Sequence, residues 1–79
     1  MNLIFEKFDA LPSYEVRHPS GQCVGTIDMI EDGFYYFFPT KEFHGGYWPT
    51  WVLQSIVNKI KELDEPYEQS INEYFNENP

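Results

Sequence analysis

Ile30-Glu31-Asp32-Gly33-Phe34-Tyr35-Tyr36-Phe37-Phe38-Pro39 is the stretch that decides the fold. Asp-Gly between two apolar runs signals a β-hairpin, because both central positions of a type I′ turn need positive φ. Pro39 stops the second run, since proline cannot donate to a strand ladder. Working back from the turn, residues 22–30 read as the preceding strand. Before them, Pro19-Ser20-Gly21-Gln22 reads as a four-residue turn. Residues 13–18 alternate, with Tyr14, Val16 and His18 on one side and Glu15 and Arg17 on the other, which is the period of a half-buried strand. Leu3-Ile4-Phe5 is a short apolar run that fits either an edge strand or a helical turn.

The turns also set a register. With Asp32-Gly33 as a two-residue loop, Ile30 lies opposite Tyr35 and Asp28 opposite Phe37. One sheet face then carries Tyr14, Val16, His18, Cys23, Ile27, Met29, Phe34, Tyr36 and Phe38 and is expected to be the core. The other carries Val24, Thr26, Asp28, Ile30, Tyr35 and Phe37.

Working forward, residues 40–47 read as a loop, and Pro49 suits the first turn of a helix. Val52, Leu53, Ile56, Val57, Ile60 and Leu63 follow helical spacing. Asp64-Glu65-Pro66 is expected to break that helix, and Tyr67, Ile71, Tyr74 and Phe75 mark a second, shorter one. The fold class this predicts is α+β, one domain over residues 1–79. A three-stranded antiparallel sheet, four-stranded if residues 3–5 join it, packs on one long and one short C-terminal helix.

Composition narrows the function. Net charge is −8, with only Lys7, Arg17, Lys41, Lys59 and Lys61 as bases, which argues against direct binding to nucleic acid or an anionic membrane. Residues 62–79 hold six acids and no base, so Glu68 and Glu73 become candidates for meeting a basic partner surface. Cys23 is the one cysteine, consistent with a reducing cytoplasm. The early charges Glu6 and Lys7 do not fit a signal peptide, and no apolar run approaches the ~20 residues that span a membrane.

No phosphate loop, catalytic triad signature or Cys-x-x-Cys is present, so neither an enzyme nor a cofactor is expected. His18 opposite Cys23, with His44 on another loop, falls short of the four ligands of a structural zinc site. Asp28, Glu31 and Asp32 read as solvated carboxylates, because paired-carboxylate chemistry needs a cleft that shifts one pKa. Two features point to binding. The first is His44-Gly45-Gly46-Tyr47-Trp48-Pro49-Thr50-Trp51, which reads either as an interaction hot spot, with Trp48 the ring expected to be exposed, or as a cap on the sheet core through Tyr47 and Trp51. The second is the sheet face of Val24, Asp28, Ile30, Tyr35 and Phe37, to which no helix is assigned; it is an interface unless residues 1–11 fold over it.

The pattern Tyr14-Glu15-Val16, Val24-Gly25-Thr26-Ile27, residues 32–39, Gly46-Tyr47-Trp48 and the spaced apolar residues of 52–75 resembles small proteins encoded by bacteriophages and prophages. The resemblance implies a cytoplasmic accessory protein that binds and inhibits or modulates a host protein, such as a nucleic-acid-processing enzyme. Acids along the last helix would then stand in for phosphates. The alternative is a self-associating structural protein, with two copies paired through the open sheet edge or the apolar face.

Overall fold

The computed structural model describes residues 2–41 and 48–77. Four strands, β1 (Ile4–Lys7), β2 (Ser13–Arg17), β3 (Cys23–Met29) and β4 (Tyr35–Pro39), form one antiparallel sheet in chain order. Among the described residues a single helix, α1 (Thr50–Glu77), follows. The class is α+β, as the patterning predicts, and Leu3-Ile4-Phe5 contributes to a strand and not a helical turn: Phe5 pairs with Val16 and Lys7 with Tyr14.

The β2–β3 register agrees with the sequence reading over its length, with Tyr14 opposite Ile27 and Val16 opposite Gly25. It departs at the turn. The loop has three residues, closed by the His18 N–H donating to Gln22 O at 2.8 Å, with Gly21 at φ 96°. Cys23 therefore faces Arg17 rather than His18, and Val24 is an extra residue inserted as a bulge. The bulge turns Val24 into the core, where it is fully buried beside Val16, Ile27 and Val52.

The β3–β4 turn is also a three-residue loop. The Ile30 N–H donates to Phe34 O, the Gly33 N–H donates to Ile30 O, and Gly33 alone takes positive φ, at 89°. This moves β4 by one residue relative to a two-residue turn. Asp28 lies opposite Tyr36, and Ile27 opposite Phe37. Because side chains alternate, the shift reverses β4: Tyr35 and Phe37 pack against the core, and Tyr36 and Phe38 point to the other face. A two-residue turn predicts the opposite assignment of these two pairs, and the three-residue loop corrects it.

α1 runs through Pro66 without ending. Proline removes the donor for the Glu62 carbonyl and disfavours helical backbone at Glu65. Contacts on both sides of it hold the helix to the sheet: Asp64 Oδ1 accepts the Tyr35 N–H at 2.9 Å, and the Tyr67 ring packs edge-on against Phe34 at 4.9 Å. Tertiary anchoring outweighs local preference here. The buried core is Leu3, Val16, Val24, Ile27, Val52 and Ile56, with Tyr14, Tyr35, Phe37 and Trp51 among the rings closing it.

Candidate functional site: the sheet face opposite the helix

α1 covers one face of the sheet. Strand alternation places Ile4 and Glu6 of β1, Glu15 and Arg17 of β2, Thr26 and Asp28 of β3, and Tyr36 and Phe38 of β4 on the other. Tyr36 and Phe38 are exposed, at 42% and 46%, although Tyr35 and Phe37 pack against the core. Ile30, just past β3 and two residues on from Asp28, is exposed as well. The face is therefore apolar along β4, polar in the middle and charged toward β2.

Its polar groups are partly organised. Thr26 Oγ1 donates to Asp28 Oδ2 at 2.9 Å, which orients that carboxylate beside Tyr36. Arg17 pairs with Glu15 on the same strand. Asp32 accepts the Phe34 N–H at 2.8 Å through one oxygen and the Tyr36 hydroxyl through the other, so it fixes both the turn and the ring. That hydrogen bond is the main cause of a raised Tyr36 pKa. The Tyr35 pKa is raised mainly by burial, then by the nearby charges of Tyr14 and Asp64. Such a face can stack rings, bury apolar area and accept hydrogen bonds.

The residues expected at a binding surface are thus divided by the structure. Asp28 and Ile30 lie on this face. Val24, Tyr35 and Phe37 do not, for the reasons given above. Trp48 is half-buried, not exposed, and stands edge-on to Phe37 at 5.8 Å, closing the core. Glu68 and Glu73 are exposed on the distal half of α1, away from the sheet face. Tyr36 and Phe38 were missed. The one signal that could have found them is the second reading of Glu31-Asp32-Gly33, as a type I turn followed by a left-handed glycine.

Other features offer less. Nδ1 of His18 accepts the Ser20 N–H at 3.0 Å, and its ring lies 5.5 Å from Trp51. Among the described residues no three His, Cys, Asp or Glu side chains gather as metal ligands, and His44 lies outside them with Gly45, Gly46 and Tyr47. A shallow groove of about 290 Å³ separates β1 from α1. Lys59 occupies its wall, with its ammonium 5.6 Å from the Phe5 ring, 5.2 Å from the Tyr14 ring and 3.4 Å from Glu62. Among the described residues no helix is long and apolar enough to cross a membrane. Comparison with known proteins finds no matching family model, curated protein or solved structure.

Proposed function

We propose that this protein is a small binding module without catalytic activity, a phage-type accessory protein that binds a host protein and inhibits or modulates it. The observation that carries the reading is the pair of exposed rings, Tyr36 and Phe38, side by side on the sheet face that α1 leaves uncovered. Rings held on a rigid strand lose little entropy on binding and supply large contact area, which is why aromatic residues dominate interface hot spots. Glu6, Glu15 and Asp28 share the face with one base, Arg17, so it suits a partner whose contact surface is apolar with a basic rim. A nucleic-acid-processing enzyme has such surfaces. The test is capture of a partner from bacterial lysate on the tagged chain, followed by hydroxyl-radical footprinting of the purified complex. Tyr36 and Phe38 should be protected. Failure to recover a stoichiometric partner from several hosts, or protection confined to other surfaces, would overturn the proposal.

A further inference from the structure

β1 is the outer strand of the sheet, and its neighbours fix which of its backbone groups point outward. The Phe8 N–H donates to Ser13 O at 2.9 Å, which continues the β1–β2 register by one pair. Bonded pairs alternate along an antiparallel ladder, so Ile4, Glu6 and Phe8 bond to β2, and Phe5 and Lys7 turn their N–H and C=O outward. The β2–β3 ladder agrees. The Met29 N–H donates to Pro12 O, so Tyr14 and Val16 bond to β3 and leave Glu15 and Arg17 for β1. Leu3, just before the strand and buried in the core, continues the alternation.

The opposite edge of the sheet is interrupted. β4 turns Tyr35, Phe37 and Pro39 outward, since the Ile30 N–H donates to Phe34 O and the Thr40 N–H to Val24 O. Asp64 takes the Tyr35 N–H, and Pro39 has none to give. β1 has no such cover among the described residues. Lysine is a common guard of an open edge, but here it is turned away: Lys7 Nζ donates to Phe8 O at 3.3 Å and to Leu11 O at 3.1 Å in the β1–β2 turn. α1 is tied to the β4 side by Asp64 and Tyr67, and the groove separates it from β1.

We infer that β1 pairs with β1 of a second copy of this chain, antiparallel about a two-fold axis at Phe5, so that the two sheets become one. The sequence of the edge selects both occupant and register. Centred on Phe5, Phe5 meets Phe5, Lys7 meets Leu3 and Glu6 meets Ile4. All the outward residues are then used, about six hydrogen bonds form, two for each bonded pair, and no like charges face each other. A centre at Glu6 sets two carboxylates opposite each other, and a centre at Ile4 bonds only Leu3 with Phe5 among the described residues. Both Phe5 rings lie on the α1 side of the sheet, where the groove leaves them room. This edge is separate from Tyr36 and Phe38 on β4, so the pairing and the partner-binding reading stand or fall independently.

Sedimentation equilibrium of the full chain is measured for wild type, K7A and K7P up to high micromolar concentration, with circular dichroism to confirm folding. Wild type and K7A should approach twice the 9.4 kDa chain mass. K7A removes the side chain and keeps the backbone donor. K7P removes the outward N–H, which no bond within the chain uses, and proline is tolerated on an edge strand in that position. Losing one donor from each copy should weaken K7P association about tenfold or more relative to K7A. In wild type, amide exchange read by NMR should slow at Phe5 and Lys7 as concentration rises and change less at Glu6, which is already bonded to Glu15. That readout decides the matter if K7P does not fold. A monomeric wild type, K7P dimerising as tightly as K7A, or exchange at Phe5 and Lys7 indifferent to concentration would overturn the inference.

Discussion

Removing the Asp64 carboxylate should loosen the sheet from the helix. Asp64 is 8% exposed, and its Oδ1 holds the Tyr35 N–H of edge strand β4 at 2.9 Å. A hydrogen bond to a charged acceptor contributes about 1.5–3 kcal/mol. Asp64→Ala forfeits it and leaves the Tyr35 donor half-buried without a partner. Alanine's better helix propensity returns roughly 0.5 kcal/mol. The net loss is about 1–2.5 kcal/mol, from a stability of about 4–12 kcal/mol for 79 residues. For a domain of this size that lowers Tm by roughly 4–20 °C. Asp64→Asn keeps an oxygen acceptor and should lose less than half as much. Thermal melts give the magnitudes, and amide hydrogen exchange reads the bond itself, with Tyr35 exchanging faster in Asp64→Ala than in wild type. Equal melts for Asp64→Ala and wild type, or unchanged exchange at Tyr35, would refute the reasoning.

Three more expectations follow from the same geometry. Phe37→Ala should cost about 2–4 kcal/mol in urea denaturation, because the ring fills the space between Gly25 and Trp48. Gly25→Ala should be at least as damaging, since the added Cβ would strike the Phe38 carbonyl oxygen and stand 2.9 Å from the Phe37 ring; a wild-type melt would show that β4 does not approach β3 as described. In an alkaline titration followed by phenolate absorbance, Tyr35 and Tyr36 should ionise above the ordinary value of 10.0, and Asp32→Asn should bring Tyr36 back toward it. Both folded pKa values are raised, so their contribution to stability is complete below about pH 10 and is lost as pH rises through the folded values, where the unfolded chain has already released its protons.

Much of the fold was legible because it rests on periodicity. Tyr14 and Val16 alternate with charged residues, and Val52, Ile56 and Leu63 repeat at helical spacing, so strand β2 and the buried side of α1 follow from pattern alone. The faces of β4 were not legible in that way. Residues 34–38 are all aromatic, so no polar alternation fixes which side is buried, and the register depends on the turn. Glu31-Asp32-Gly33 serves a two-residue or a three-residue loop, and the choice exchanges Tyr35 and Phe37 for Tyr36 and Phe38. Val24 escaped for a related reason: a bulge breaks the period of two that would place it outside. Pro66 misled because its local preference is real, and only the contacts of Asp64 and Tyr67 with β4 and its hairpin override it.

The central claim is that Tyr36 and Phe38 are spare for folding and required for binding. The decisive measurement is the affinity of the captured partner for wild type and for the Tyr36→Ala/Phe38→Ala double variant, with melts of both. The variant should melt close to wild type, as surface changes do. Its affinity should fall at least about thirtyfold, the loss of one hot-spot side chain worth ~2 kcal/mol. An unfolded variant, or a folded one that binds as tightly as wild type, would contradict the account.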